Sequence, residues 1–216
     1  MSVLIGIIDY GMGNLFSVNN ALNRLGAETV ISGDPKVLAS CDGLILPGVG
    51  AFPDAMAELQ KQELDVFLKD YIISGKPLLG ICLGMQLLFE SSDEHGYSTG
   101  LGFLKGHIAK FPGIDRDRKL YKVPHMGWNK LQFQQEHPLL AGLEEDYVYF
   151  VHSYYAEVEQ RSELLATAAY DVEVPGIVGL GNVMGMQFHP EKSGQMGKAL
   201  LQNYIKLAEE KERRIQ

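Results

Sequence analysis

Residues 77–89 read Pro-Leu-Leu-Gly-Ile-Cys-Leu-Gly-Met-Gln-Leu-Leu-Phe, and this stretch decides the fold class. Its apolar first half predicts a buried strand that ends at Cys82, and Met85 to Phe89 predict the start of a helix. Gly80 and Gly84 flank the cysteine in the pattern Gly-x-nucleophile-x-Gly, which permits a sharp turn that lifts the central side chain above a sheet. The stretch therefore predicts a reactive cysteine in an α/β protein.

The order of strand, loop and helix recurs upstream of this turn. Apolar runs at residues 3–8, 29–31 and 43–46 alternate with helical spacing at 14–25 and 53–73. Because crossovers between parallel strands place helices against the sheet, this alternation predicts a largely parallel central sheet with helices on both faces.

The pattern of predicted secondary structure changes after about residue 100. Shorter strand-like runs punctuated by Gly and Pro predict a β-rich, partly antiparallel C-terminal half. The runs cover residues 107–111, 127–133, 147–153, 164–169 and 183–188, and a closing helix is predicted over 197–214. Since no internal repeat or linker separates the halves, we expect a single domain over residues 1–216.

Composition narrows the classes of function. The 216 residues carry 19 Lys and Arg against 27 Asp and Glu, a formal charge of −8, so nucleic acid is not an expected partner. No apolar run approaches the roughly 20 residues of a membrane-spanning helix, and the first residues lack the features of a signal peptide. We therefore expect a cytoplasmic protein that binds no membrane. Cys41 and Cys82 are the two cysteines, too few for a disulfide framework or a four-cysteine zinc site.

Three further motifs fail on inspection. Gly11-Met12-Gly13 follows a strand, but Phe16 replaces the third glycine of a dinucleotide-binding loop. Residues 74–77, Ser-Gly-Lys-Pro, contain the Gly-Lys pair of a phosphate-binding loop, but Pro77 replaces the Ser or Thr that follows the lysine there, and no glycine lies five residues before Gly75. The histidines and carboxylates show no spacing typical of a metal site, so we expect neither metal nor cofactor.

A cysteine nucleophile requires a base, and the tripeptide His189-Pro190-Glu191 offers a base with an orienting carboxylate. It follows the apolar run 183–188, at the strand end where α/β folds assemble their sites. Pro190 favours an extended His189, which places the side chains of His189 and Glu191 on the same side. A thiol at a helix start also favours its thiolate form. The alternative for Cys82 is a buried core cysteine, and the alternative for His189-Pro190-Glu191 is a surface turn.

Acyl transfer also requires donors for the oxyanion that develops on the carbonyl. Pro47-Gly48-Val49-Gly50 lies at a strand terminus, where the backbone N–H groups of Val49 and Gly50 can approach the cysteine. The N–H of Leu83 is the natural second donor. Taken alone, the Pro-Gly pair is equally consistent with an ordinary turn.

These motifs together resemble class I (triad) glutamine amidotransferases. The resemblance rests on residues 47–52 (Pro-Gly-Val-Gly-Ala-Phe), 80–86 (Gly-Ile-Cys-Leu-Gly-Met-Gln) and 185–193 (Gly-Met-Gln-Phe-His-Pro-Glu-Lys-Ser). Within that class, residues 9–15 and 124–129 (Pro-His-Met-Gly-Trp-Asn) resemble the glutaminase subunits of imidazole glycerol phosphate synthases.

The resemblance implies that Cys82 attacks the side-chain carboxamide of glutamine to give a thioester and ammonia, while His189 moves protons and Glu191 orients His189. It also implies a site for glutamine, formed by Gly50, Gln86, Glu94, His152, Ser153 and Tyr154. A helix-face role for Gln86 and a core role for Tyr154 stay open.

The resemblance further implies a partner, a (β/α)₈ synthase subunit that forms a heterodimer with this chain and uses the ammonia to make imidazole glycerol phosphate and AICAR. Asn14, Trp128 and Asn129 are the predicted contacts, with core burial the alternative for Trp128. Three rivals remain: a glutaminase subunit of a pyridoxal phosphate or anthranilate-type synthase, a free-standing cysteine hydrolase, and a binding module that has kept the fold.

Overall fold

A computed structural model describes residues 3–114 and 117–215. Its strands, in chain order, are β1 Leu4–Ile8, β2 Glu28–Ser32, β3 Gly43–Gly48, β4 Leu78–Cys82, β5 Ser91–Ser92, β6 Ser98–Thr99, β7 Gly106–Lys110, β8 His125–Phe133, β9 Tyr147–His152, β10 Tyr154–Val158, β11 Leu164–Tyr170, β12 Val172–Leu180 and β13 Val183–Met186. The α-helices are α1 Leu15–Arg24, α2 Pro35–Ala39, α3 Phe52–Lys61, α4 Leu64–Ile73, α5 Leu83–Leu87 and α6 Gly194–Ile215.

Within the described residues, nine strands form one sheet in the order β2-β1-β3-β4-β13-β12-β11-β8-β9. Strands β2, β1, β3, β4 and β13 run parallel, whereas β13, β12, β11, β8 and β9 pair antiparallel in turn. This confirms the predicted α/β class, with a parallel first half and an antiparallel second half. A smaller four-stranded sheet, β10-β7-β5-β6, was not predicted as a separate unit.

Helices cover the main sheet on both faces, as predicted. One apolar cluster packs α1 and α6 against the sheet and includes Val18, Leu22, Leu200 and Tyr204. The other packs α2, α3, α4 and α5 and includes Leu38, Phe52, Leu68 and Met85. None of the helices in the described ranges is long and apolar enough to cross a membrane.

The helical stretch predicted over residues 53–73 is two helices. The break falls at Glu63, whose φ of 56° places it in the left-handed region. Lys61, Gln62 and Glu63 all favour helices, so local propensity predicts no break. The tertiary structure imposes it: Gln62 Nε2 donates to the carbonyl of Tyr10 at 3.2 Å, and α4 turns to bury Leu64 and Leu68.

Strand β12 was not predicted, and it contains Pro175, a residue that is unusual inside a central strand. The structure accommodates the proline at an irregularity of the β11–β12 pairing, where Ala166 faces Ile177 but Thr167 faces Pro175. The pairing of β12 with β13 begins only at Ile177. The proline therefore lies where the β11–β12 pairing is irregular and outside the pairing of β12 with β13.

Candidate active site

Cys82 lies at the turn between β4 and α5, as the sequence predicts. Its φ of 55° and ψ of −112° are unusual for a residue other than glycine, and such backbone strain is concentrated at functional sites. A Cβ on Gly84 would collide with the carbonyl oxygen of Leu46, and one on Gly80 would lie 2.6 Å from the carbonyl oxygen of Gly84. Gly84 therefore permits the close approach of the turn to β3, and Gly80 permits the close approach of α5 to β4.

His189 lines the same cleft as this cysteine and lies three residues after the end of β13. Its Nδ1 donates to Glu191 Oε1 at 2.8 Å. The predicted pair of His189 and Glu191 therefore exists, but the reason given for it was incomplete. His189 itself is extended, whereas Pro190–Lys192 form a 3₁₀ turn that brings the carboxylate back towards the imidazole.

The backbone of His189 is fixed by two neighbours. Its N–H donates to the carbonyl of Tyr149 at 3.2 Å, and its carbonyl accepts from Ser193 Oγ at 2.7 Å. Ser193 Oγ in turn accepts from the N–H of Tyr149 at 3.0 Å. Since β9 and the 3₁₀ turn hold the residue from both sides, the imidazole has a defined position relative to Cys82.

The electrostatic surroundings favour the charged form of His189. Burial lowers its pKa, but its hydrogen-bonding interactions with Cys82 and Glu191, and the negative charge of both groups, outweigh burial and raise the pKa to about 9. An imidazolium facing a sulfur is the arrangement that stabilises a thiolate. Gln187 Nε2 also approaches Cys82 Sγ, at 4.0 Å.

The predicted oxyanion segment runs beside the cysteine. Gly48 pairs with Cys82 in the register of β3 and β4, and Val49 and Gly50 follow it, both exposed. Gly50 has a φ of 110°, and a Cβ there would lie 2.7 Å from Met12 Cε. The structure therefore brings Val49, Gly50 and Leu83 to the rim of the same cleft.

That cleft is open and encloses about 550 Å³. It is lined by the candidate nucleophile and base, by the oxyanion candidates, and by all the residues predicted to hold glutamine: Cys82, His189, Val49, Gly50, Leu83, Gln86, Glu94, His152, Ser153 and Tyr154. Glu191 lies behind His189, with its side chain almost fully buried. The structure thus collects residues from distant parts of the sequence around one space.

Gln86 and Glu94 form part of the cleft wall through their own contacts. Gln86 Nε2 donates to the carbonyl of Tyr154 and to Gln187 Oε1, each at 3.0 Å. Glu94 Oε2 accepts from the backbone N–H of Phe52, the first residue of α3, at 2.8 Å. A carboxylate at a helix N-terminus is electrostatically favourable, so this hydrogen bond fixes the position of Glu94 within the cleft.

The segment 152–154 forms the opposite wall. His152 is buried and its Nδ1 lies 2.7 Å from the carbonyl of Tyr154. Tyr154 is half-buried and packs against the second apolar cluster, so its core and cleft roles coexist. Burial and then the charge of Glu94 raise the pKa of Tyr154.

The three predicted partner contacts differ in position. Asn14 is exposed on the cleft rim and caps α1, its Oδ1 accepting from the N–H of Ser17 at 3.3 Å. Trp128 is 54% exposed, so it is not a core residue. Asn129 is half-buried and donates from Nδ2 to the carbonyl of Ala169 at 2.9 Å.

Lys192 also lines the cleft, and sequence reasoning passed over it. It follows Glu191 directly, so its place in the motif was the signal available. Within residues 3–114 and 117–215, no group of three or more His, Cys, Asp or Glu side chains is arranged to hold a metal ion.

A family model and individual relatives place the chain in the same family. The model of the family described as glutamine amidotransferase class-I matches residues 6–207. The chain is 56% identical over 208 residues to imidazole glycerol phosphate synthase subunit HisH of Geobacillus sp. strain WCH70, covering 96% of this chain and 99% of that protein. It is 51% identical over 207 residues to the protein of the same name from Bacillus subtilis strain 168, covering 96% and 98%.

Solved structures agree on the fold. The structure of PurLQS from Thermotoga maritima has a TM-score of 0.75 at 20% identity, covering 95% of this chain and 99% of that one. A second structure, described as a glutamine amidotransferase, has a TM-score of 0.74 at 20% identity, covering 95% and 98%.

Proposed function

Since the chain belongs to the class-I glutamine amidotransferases, we propose that it is the glutaminase subunit of an imidazole glycerol phosphate synthase. It hydrolyses glutamine to glutamate and ammonia. The ammonia passes to a (β/α)₈ synthase subunit in a heterodimer, which makes imidazole glycerol phosphate and AICAR in histidine biosynthesis. Residues 1–216 act as one cytoplasmic domain.

The reaction proceeds in two halves. The Cys82 thiolate attacks the carboxamide carbon of glutamine, and the imidazolium of His189 gives its proton to the nitrogen as the C–N bond breaks, which releases ammonia and leaves a thioester. His189, now neutral, takes a proton from water as the water attacks the thioester. The C–S bond then breaks, giving glutamate and the thiolate.

The observation that carries this mechanism is that His189 lines the same cleft as Cys82 while Glu191 holds its Nδ1. A buried imidazole whose Nδ1 is held by a carboxylate has a fixed tautomer, so Nε2 is the nitrogen that transfers protons. Glu191 accepts from the imidazole Nδ1 and stabilises the imidazolium that both halves require.

The oxyanion of each half-reaction is stabilised by backbone donors. The N–H of Leu83 points from the first turn of α5, and the N–H groups of Val49 and Gly50 lie on the segment that continues from Gly48 beside Cys82. Gly50 carries no Cβ and has a positive φ, so this segment can rotate its peptide groups at low cost.

Charge supports the mode of glutamine binding. Glu94 is the carboxylate of the cleft, and it suits the α-amino group of the substrate. Lys192 is a cation on the same cleft and suits the α-carboxylate. Gln86 and the segment His152-Ser153-Tyr154 form the walls between which the side chain extends to Cys82.

The rivals differ in what activates the chain. A glutaminase subunit of a pyridoxal phosphate or anthranilate-type synthase would respond to a different partner, a free-standing hydrolase would need none, and a binding module would form no thioester. The relatives at more than 50% identity are named as subunits of imidazole glycerol phosphate synthase, which favours the proposed partner.

Glutamine hydrolysis, measured with and without the (β/α)₈ subunit and its substrate, tests the proposal. We expect hydrolysis to rise strongly only when both are present. Equal turnover in the isolated chain would indicate a free-standing hydrolase, and no turnover under any condition would indicate a binding module.

A further inference from the structure

Two buried histidines face each other behind the cleft, and the mechanism above uses only one. His125 on β8 and His152 on β9 pair directly in the register of the two strands. His125 is fully buried and His152 nearly so, and His125 Nδ1 lies 2.9 Å from His152 Nε2. His152 lines the cleft, so whatever fixes its ring shapes the glutamine site.

The outer nitrogens of the pair must both carry protons. His152 Nδ1 lies 2.7 Å from the carbonyl oxygen of Tyr154, which can only accept. His125 Nε2 lies 2.8 Å from Asn129 Oδ1, which also only accepts. The orientation of the Asn129 amide follows from its other end, because Nδ2 donates to the carbonyl of Ala169 at 2.9 Å.

Two neutral imidazoles cannot satisfy this chain. Each neutral ring has one N–H, and both are used at the outer ends, so the inner nitrogens of His125 and His152 would face each other as two lone pairs. Reversing the Asn129 amide does not help, because its oxygen would then face the carbonyl of Ala169. This series of hydrogen bonds ends on a carbonyl oxygen at each end, so a third proton is needed between the two inner ring nitrogens.

We propose that the pair holds this third proton between His125 Nδ1 and His152 Nε2, and that His125 thereby acts as a positioning residue for His152 in the glutamine site. The positioning role rests on the proposed function, since that assigns glutamine to the cleft. The third proton rests only on the hydrogen-bond chain.

Aromatic rings around His125 favour a cation there. Phe150 stacks on His125 at 4.7 Å between ring centroids and 20° between planes, and Tyr170 stacks on it at 3.9 Å and 19°. Two rings parallel to one imidazole occupy its two faces. Because aromatic faces attract cations, His125 lies in a cage suited to an imidazolium.

The remaining surroundings oppose the proton. Burial lowers the pKa of His125. Burial, and then repulsion by the charges of His125 and His189, lower the pKa of His152 to about 3, although its hydrogen bond to the carbonyl of Tyr154 raises it. The ionisable groups nearby are His189 beyond His152, with Glu191 behind it, and the phenols Tyr121, Tyr155 and Tyr170, with Asp171 next to Tyr170. Among the described residues, no carboxylate hydrogen-bonds to either ring of the pair. The proton must therefore be held by the three hydrogen bonds and the two ring faces, and charge-assisted hydrogen bonds are about twice as strong as neutral ones.

Nitrogen NMR of the full-length chain labelled with ¹⁵N-histidine counts the protons directly. We expect three of the four ring nitrogens of His125 and His152 to be protonated at pH 7, with both nitrogens of His125 in the protonated range. Two protonated nitrogens and two lone-pair nitrogens would overturn the proposal. This readout needs no substrate, so it stands apart from the outcome of the glutaminase assay.

The pH dependence of stability distinguishes a pair that holds the third proton from a neutral pair. Unfolded histidine titrates near pH 6.5, so a proton kept by the folded pair above that pH stabilises the fold, and this contribution is lost as pH rises through the higher folded pKa. The free energy of unfolding of the wild type, relative to His125→Phe, should then fall between pH 7 and pH 9. A neutral pair predicts a flat difference there, and that result would overturn the third proton.

Two variants of Tyr170 test the cage with matched packing. Tyr170→Phe removes the hydroxyl, which donates to the carbonyl of Lys122 at 2.6 Å, but keeps the ring. Tyr170→Leu removes the ring face. We expect the pair to lose its third proton at a lower pH in Tyr170→Leu than in Tyr170→Phe. The same pH in both variants would show that the rings do not hold the charge.

Kinetics of the complex with the synthase subunit test the positioning role. Because His125 acts on the glutamine site through His152, His125→Phe should raise KM for glutamine several-fold and change kcat less. An unchanged KM in a folded variant would overturn the positioning role while leaving the proton count to the spectra.

Discussion

Gly48 faces Cys82 across the parallel pairing of β3 and β4, so the segment proposed to hold the oxyanion begins at the level of the proposed nucleophile. This relationship depends on the absence of a side chain at Gly48. A Cβ there would lie 2.7 Å from Tyr10 Oη and 2.9 Å from the backbone nitrogen of Gly84. The first prediction follows from this contact.

We expect Gly48→Ala to separate the oxyanion segment from the turn that carries Cys82. The methyl group has no free space, so kcat for glutamine hydrolysis in the complex should fall by roughly 10²–10³, the usual effect of losing one oxyanion donor. Gly142→Ala is the control for backbone strain, since Gly142 has a φ of 72° but lies away from the cleft, so this variant should lower Tm without lowering kcat. A wild-type kcat for Gly48→Ala would contradict the assignment of this segment.

The proposed roles of Cys82, His189 and Glu191 predict which substitutions reduce glutamine hydrolysis most. His189→Ala should reduce glutamine hydrolysis about as much as loss of Cys82, because it removes the group that moves both protons. Glu191→Gln should be milder, since an orienting carboxylate fixes the tautomer and takes no proton. Steady-state hydrolysis in the complex measures both. The reverse order would exchange or remove the assigned roles.

The raised pKa of His189 predicts a pH dependence of stability. Its folded pKa of about 9 lies above the unfolded value near 6.5, so the stabilisation is fully present below pH 6.5 and is lost as pH rises through about 9. The full difference corresponds to about 3 kcal/mol at most. Urea unfolding of the wild type and of His189→Gln at pH 6, 8 and 10 should show a gap that closes as pH rises. A gap that widens would give the shift the opposite sign.

The exposed ring of Trp128 predicts a loss of binding without a loss of stability. It contacts Tyr149 at 5.9 Å between ring centroids and is otherwise open on one side, as expected of an interface residue. Trp128→Ala should weaken binding of the synthase subunit by about 2 kcal/mol, the usual size of an aromatic hot spot. Ile73→Ala, at the exposed end of α4, is the control. Unchanged affinity with a Tm lower by many degrees would assign Trp128 to packing.

The sequence was sufficient for the features that depend on local pattern. The Gly-x-Cys-x-Gly turn and the alternating strands and helices follow from spacing and from residue types with narrow backbone preferences. The motif His189-Pro190-Glu191 identified the pair of His189 and Glu191, but not the 3₁₀ turn that joins them. The fold class follows from the same pattern, since buried parallel strands are continuous apolar runs.

The rest required tertiary information. Nothing in Lys61-Gln62-Glu63 marks a helix break, because the break comes from the contact of Gln62 with Tyr10 and the burial of α4. Pro175 is unusual inside a central strand, and the irregular pairing of β12 with β11 that accommodates it is visible only in the folded sheet. The facing of His125 and His152 is a matter of strand register, and residues 27 positions apart carry no local sign of it.

The most direct test of the account separates the making of ammonia from its use. In the complex, Cys82→Ser should abolish synthesis from glutamine but leave synthesis from added ammonium salt at the wild-type rate, because the synthase subunit uses ammonia whatever its source. Cys41→Ser, at a buried cysteine outside the cleft, should leave both reactions close to wild type. Glutamine-dependent synthesis retained above a few per cent in Cys82→Ser would contradict the claim that Cys82 is the nucleophile.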